Sequence, residues 1–349
     1  MNIPHHNPYV QDILSQADSV KGALARFDNT NLNSLTRSIQ QNDFDRIILT
    51  GMGGSLFASY PVWLQLINAG FPAYWIDCSE SIHHAQPLIT KRTLVWVTSQ
   101  SGQSAEVVTA LTVIKRMGAT ILATVNDLKS PLAQVAQYQI PIHAEVEKTV
   151  STRTYVNTLA VSQLAALALT NGNIQHGLDE LSFTADGMAD YFSDWEHQLQ
   201  SIRQLIEPTP TLILLGRGPS LAATYTGALS LGEASKVAAI GMQAGEFRHG
   251  PMELASSNST VIIFAGSHET QELNIHLHKD LKEADAHPVW ITTPDNTHVE
   301  PQLFAPRAIG IGLPLAEIIP IQMLTIHMAL ENGIEPGKFF RSGKVTSSE

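Results

Sequence analysis

The stretch SQSGQSAEVV, Ser99 to Val108, sets three serines, two glutamines and a glycine directly after the apolar run TLVWVT at 93–98. Hydroxyls and amides at that spacing suit one chemistry, hydrogen bonding to an oxyanion. A loop that leaves a strand and opens a helix presents unpaired backbone N–H groups at the positive end of the helix dipole. Small side chains let an anion approach those amides, so no lysine is required. On the residues alone two readings stand open, an ordinary turn with a helix cap or a cradle for an anion. A related loop is GMGGS at 51–55, where Ser55 reads either as a cap or as a ligand contact. Its glycines follow a strand-like run but lack the third glycine of a dinucleotide fingerprint at its usual place.

Fourteen histidines invite a metal reading. His83 and His84 are adjacent, and His276 and His278 are two apart. Neither pair comes with Cys or carboxylate ligands at a metal-binding spacing, so no metal is expected. His276 and His278 fall in NIHLHKDLKEADAH, a polar helix-like segment expected at the surface.

The elements that must position these groups read as short apolar runs alternating with longer amphipathic segments. RIILT (46–50), AYWID (73–77), TLVWVT (93–98), TILATV (120–125) and QIPIH (139–143) are predicted strands, rich in Ile, Val, Leu, Thr and Trp. The second half repeats the plan with TLILL (211–215), VAAIG (237–241), TVIIFA (260–265), PVWIT (288–292) and AIGIG (308–312). Continuously apolar strands separated by helices indicate parallel sheets covered on both faces. ILTGMGGSLFA at 48–58 matches ILLGRGPSLAA at 213–223 in 7 of 11 positions, at a constant offset of 165 residues. Such a repeat implies two similar α/β domains. A helical region is expected between them, over roughly 151–205. The domain expectation is an N-terminal helical segment at 1–45, a first domain at 46–200, a second at 201–335 and a tail at 336–349.

At 349 residues and 44% hydrophobic, the chain is long enough for two cores. Acidic residues outnumber basic ones 32 to 21, for a formal charge of −11. That balance argues against general nucleic-acid or anionic-membrane binding, while leaving room for a local anion site. Cys78 is the only cysteine, so an internal disulfide is impossible. The start MNIPHHNPYV carries no signal-peptide pattern, and no uninterrupted apolar run reaches the roughly 20 residues of a membrane span. A cytoplasmic protein is the expectation.

Taken together, the motifs resemble the sugar isomerase (SIS) family, whose phosphosugar-binding domains are five-stranded parallel α/β units. The residues that carry the resemblance are GMGGS at 51–55, SQSGQSAE at 99–106, EKTVSTRTY at 147–155, LGRGPSLAATYTGALSLGEAS at 215–235, GEFRHGP at 245–251 and GKVTSSE at 343–349. They cover nearly the whole chain in the family's order. The fold implied is α/β, two tandem SIS domains each with a five-stranded parallel sheet flanked by helices. The resemblance places Ser55, Ser99, Gln100, Ser101 and Ser104 around a sugar phosphate, and Val150, Ser151 and Thr152 in the lining of the sugar pocket. Glu233 matches the glutamate that moves a proton between C1 and C2, a transfer that needs a carboxylate with a tuned pKa. His249 matches the histidine that opens the pyranose ring; in the family it comes from a neighbouring subunit, which implies a homodimer. Lys344 matches a near-terminal lysine able to form an imine with the open ketose, which requires a neutral amine fraction.

The nearest resemblances within the family are the isomerase half of glucosamine-6-phosphate synthase and the aminosugar-phosphate deaminases. The synthase carries a lysine three residues before its catalytic glutamate, where this chain has Ser230. The synthase also has a cysteine after its initiator Met, where residue 2 here is Asn. The expectation is therefore ammonia release, converting glucosamine 6-phosphate and water to fructose 6-phosphate and ammonia, with no cofactor. A fructosamine-6-phosphate deglycase, a galactosamine-6-phosphate deaminase and a non-catalytic sugar-phosphate sensor are the alternatives.

Overall fold

A computed structural model describes residues 5–206, 209–295, 299–341 and 343–346. Within these the chain divides into two compact units. One holds Ser19–Val146, Arg153–Asp179 and Arg341–Glu349; the other holds Met1–Asp18, Glu147–Thr152 and Glu180–Phe340.

The first of these contains β1 (Arg46–Gly51), β2 (Ala73–Trp75), β3 (Thr93–Thr98), β4 (Thr120–Val125) and β5 (Tyr138–Pro141). All neighbours pair in parallel, in the order β2-β1-β3-β4-β5. β3 is buried at all six positions, as an apolar strand covered on both faces must be. One face packs Trp96, Leu94 and Leu49 against the helices Asn33–Gln40 and Arg153–Leu169. The other packs Val95, Val97 and Ile48 against Val107, Leu111 and Ile114 of the helix Ala105–Met117.

The other unit contains β6 (Thr211–Gly216), β7 (Ala239–Gln243), β8 (Ser259–Phe264), β9 (His287–Thr292) and β10 (Gln302–Phe304). Its order, β10-β9-β8-β6-β7, is again fully parallel. Renumbered within each repeat, both sheets run 2-1-3-4-5. The connections leave strand 1 toward strand 2 on one side and reach strand 3 on the other. That makes the gap between strands 1 and 3 the topological switch point of each sheet, where ligands bind in open α/β folds.

The predicted strand AIGIG at 308–312 is not a strand. Gly310–Gly312 is a short 3₁₀ turn, and the fifth strand of this sheet is QLF at 302–304, paired with Trp290–Thr292. The glycines there serve close approach. A Cβ on Gly310 would lie 2.0 Å from Glu180 Oε1, and one on Gly312 would lie 1.9 Å from Thr184 Oγ1. β7 also begins two residues later than the predicted VAAIG, because Val237 still donates its amide back to Leu231.

The expected helical region resolves into Arg153–Leu169, Ile174–Ser193 and Trp195–Leu205. Among the described residues one segment, Gly310–Glu331, is long and apolar enough by composition to cross a membrane, but 89% of its apolar window is buried inside the protein.

Candidate active site

The serine loop follows β3 and ends at the helix α1 (Ala105–Met117). β1 and β3 finish in register, Gly51 opposite Thr98, so GMGGS and SQSGQS begin side by side. Gly51 is required there: a Cβ would lie 2.6 Å from the Thr98 carbonyl oxygen. Ser99 is buried, and its hydroxyl accepts from the Gly102 amide at 3.1 Å, which curls the loop back on itself. Gly102 has φ +63, a left-handed backbone that suits glycine. The Gly102 carbonyl accepts from Leu132 N, and the Gln100 carbonyl accepts from Asn126 N. Two of the loop's carbonyls are thereby turned into the protein.

Ser104 is the N-cap residue of α1, but its hydroxyl makes no capping hydrogen bond. Ser101 accepts only a long contact, 3.4 Å from Gln103 N. Ser55 lies inside the short helix Gly53–Ala58, whose N-cap is Met52, so Ser55 is not a helix cap. Gln100, Ser101, Ser104 and Ser55 are all half-buried at the switch point of this sheet. Into the same unit comes the end of the chain. Lys344 is half-buried, and the Thr346 carbonyl accepts from the Ala105 amide at 3.1 Å.

The second group of predicted residues lies in the other unit. The helix α2 (Leu221–Ser230) runs on into a π-helical turn, Leu231–Ser235, that carries Glu233. Turns of this kind recur at functional sites because the wider winding re-aims a side chain. The turn ends at Lys236, in left-handed conformation at φ +59. The Lys236 ammonium donates to the Glu233 carbonyl and, at 2.6 Å, to the Lys338 carbonyl, and it sits 4.9 Å from the centre of the Phe340 ring. Burial pulls the Lys236 pKa below its ordinary value, against the neighbouring Glu233 charge that raises it. The Gly337 amide donates to the Ala234 carbonyl at 3.2 Å. Residues 337–340 are therefore stitched to the turn that carries Glu233.

Glu147 is buried, and its Oε1 accepts from both the amide and the hydroxyl of Thr152, each at 2.9 Å. This closes the loop holding Val150, Ser151 and Thr152. Val150 and Thr152 are buried, with the Thr152 hydroxyl engaged by Glu147, while Ser151 is half-buried. Fully buried Tyr9 bonds Thr325 Oγ1 at 2.9 Å. Burial raises its phenol pKa, and the carboxylates of Glu233 and Glu147 push it further up. Tyr9 is thus a member of the Glu233 environment that the motifs do not indicate. So is Lys236, which directly follows the quoted motif ending at Ser235.

His249 is exposed. Its loop is anchored by buried Phe247 and by an ion pair between Arg248 and Asp280, and the His249 amide closes a turn on the Glu246 carbonyl at 2.9 Å. Among the described residues no group of three or more His, Cys, Asp or Glu is placed to hold a metal ion. His83, His84 and His276 are exposed; His278 is half-buried, and its Nδ1 accepts from the Trp290 indole at 2.9 Å.

Two doubly wound parallel α/β units, one with a serine loop at its switch point, are the class of fold the chain presents. The SIS domain model matches residues 41–168 and 205–331, and the chain belongs to that family. It is 25% identical over 345 residues to glutamine–fructose-6-phosphate aminotransferase [isomerizing] of Thermococcus kodakarensis, covering 94% of this chain and 56% of that protein. The chain thus spans about half the length of the curated relatives it matches. Its fold is that of the C-terminal domain of glucosamine-fructose-6-phosphate aminotransferase from Francisella tularensis, with TM-score 0.81, 21% identity and coverage of 95% and 98%. It is also that of glucosamine-6-phosphate deaminase from Thermotoga maritima, with TM-score 0.77, 16% identity and coverage of 97% and 99%.

Proposed function

We propose that this protein is an isomerising deaminase of a phosphorylated aminosugar, taking glucosamine 6-phosphate and water to fructose 6-phosphate and ammonia. The observation that carries the reading is the serine loop. The Gln100 and Gly102 carbonyls are tied into the protein, while the Ser104 hydroxyl makes no cap at a helix start, the arrangement that suits an entering phosphate. The names of the similar proteins add the substrate class, since aminotransferase and deaminase both refer to fructose or glucosamine phosphates.

In this reading His249, as a neutral imidazole, takes the O1 proton of the pyranose and returns a proton to O5, giving the open aldehyde. The exposure of its loop is compatible with delivery to a partner subunit in a homodimer. Glu233 then removes the C2 proton, leaving an enolamine across C1 and C2, and delivers a proton to C1. C2 becomes an imine. Water adds to it, and the amine leaves as ammonia. Lys344, carried on the tail, closes over the sugar and serves the imine step. None of these steps calls on a cofactor.

The test is incubation with glucosamine 6-phosphate, galactosamine 6-phosphate and a phosphorylated fructosamine, with ammonia and product sugars measured. Ammonia and fructose 6-phosphate from the first are expected. No ammonia from either aminosugar overturns the proposal. Glucose 6-phosphate from the third alone would make the protein a deglycase, and binding without turnover of any would make it a sensor.

A further inference from the structure

The two switch points are built alike but filled differently. Ser220 stands 165 residues after Ser55, in the matching loop. Gly53 and Gly218, also 165 apart, have φ of +50 and +54. After the third strand of each sheet, Gly102 and Gly266 have φ of +63 and +69. The second sheet therefore repeats the first loop position for position and places a left-handed glycine shortly after its third strand, two residues past the strand where the first sheet has it four past.

In the second sheet a carboxyl from the protein itself lies between them. Glu317, on the helix α3 (Leu313–Glu331), is 1% exposed. Its Oε1 accepts from the Ser220 hydroxyl at 2.9 Å; burial raises its pKa, against the hydrogen bonds of Ser220 and the Gly266 amide that lower it. Ser220 is itself completely buried. Glu317 Oε2 is buried with no hydrogen-bond partner among the described residues. Nothing in the apolar run LPLAEIIPIQ calls for an acid at that position on packing grounds. Burying a carboxyl whose second oxygen is unmatched is costly, and its retention needs another reason.

We propose that the second switch point is a second oxyanion site, which the protein keeps shut with the Glu317 carboxyl, so that each chain takes up one phosphate rather than two. This rests on the reading of the first switch point as a phosphate site. The ligand class is a small oxyanion such as inorganic phosphate or acetate, entering between the half-exposed loops at Gly218 and Gly266.

The test is equilibrium dialysis of inorganic phosphate against the wild type, Glu317→Gln and Glu317→Ala, with melting temperatures followed in phosphate, acetate and chloride. The expected result is one phosphate for the wild type and Glu317→Gln, and two for Glu317→Ala. Glu317→Ala should also be raised in Tm by phosphate or acetate more than the wild type. A folded Glu317→Ala that still holds one phosphate and gains no extra stability overturns the proposal. If Glu317→Ala is unfolded in chloride, recovery of the fold in phosphate or acetate supports the proposal, and failure to recover in either overturns it. No phosphate on the wild type would instead overturn the reading of the first loop.

Discussion

The backbone amide of Ala105 donates to the carbonyl of Thr346 at 3.1 Å. Ala105 is the first residue of α1, and its amide is one of the donors that a helix start leaves unsatisfied. Thr346 therefore holds a donor at the end of the serine loop. Lys344 stands two residues before Thr346 in the same tail.

A chain lacking residues 343–349 should consequently bind inorganic phosphate more tightly while turning substrate over more slowly. Releasing one neutral hydrogen bond is worth about 0.5–1.5 kcal/mol, or roughly a 2- to 10-fold gain in phosphate affinity. Turnover should fall because Lys344 leaves with the tail. Calorimetric titration with phosphate, set beside ammonia release, checks both. Weaker phosphate binding in the shortened chain would mean that the tail builds the site instead of competing for it.

Glu233→Gln separates binding from chemistry. The substitution keeps the size of the side chain on the π-helical turn and removes its ability to take a proton. Ammonia release should drop by about 10²- to 10⁴-fold, the range for loss of a positioned general base. Phosphate binding at the serine loop should be unchanged, and so should the melting temperature within a degree or two. Near-full activity in this variant would exclude Glu233 as the proton shuttle.

What the sequence made legible follows the range of the interactions involved. TLVWVT and TILATV coincide with β3 and β4 because both are apolar runs whose only polar residues are threonines, the signature of strands buried on both faces. QLF was missed because three edge residues carry no period, and AIGIG misled because its glycines serve close packing against Glu180 and Thr184. The serine loop was readable because hydroxyls after an apolar run are local. Tyr9 was not, since its partner Thr325 is 316 residues away. Lys236 carries its meaning through Lys338 and Phe340, which no spacing rule connects to it. Glu317 did leave a signal, the one acid in the apolar run LPLAEIIPIQ, which composition alone did not single out.

Glu317 should make the protein less stable as pH rises from about 4.5 to about 8. Burial pushes its pKa up to about 8 from an ordinary 4.5, outweighing the hydrogen bonds from Ser220 and Gly266 that pull it down. Between those values the folded protein keeps a proton that the unfolded chain has released. Stability from this group is then complete below about pH 4.5 and falls as pH rises, by roughly 1.4 kcal/mol per unit, until about pH 8. Glu317→Gln removes the titration. Its melting temperature relative to the wild type should climb steadily from pH 5 to pH 8 and level off beyond. Parallel pH profiles for the two proteins would show that Glu317 is ionised in the folded state.

The curl of the serine loop is set by Gly102, and Gly102→Ala should damage both stability and phosphate binding. An alanine at φ +63 costs about 1 kcal/mol in backbone strain. Its Cβ would also fall 2.1 Å from Ser130 Oγ and 3.0 Å from Val125 Cγ2. Ser130 cannot easily yield, because its hydroxyl caps the helix Pro131–Val135 by accepting from the Ala133 amide. The loop must move instead, and the Gly102 amide then leaves Ser99. A loss of about 2 kcal/mol or more is expected in chemical denaturation, together with at least roughly a 10-fold loss in phosphate affinity. Gly70→Ala supplies the comparison. Gly70 has φ +86 but nothing within 4 Å of where a Cβ would lie, so the strain alone remains. That variant should lose about 1 kcal/mol and bind phosphate as the wild type does. Equal phosphate affinity in both variants would mean that the curl at Gly102 has no part in holding the anion.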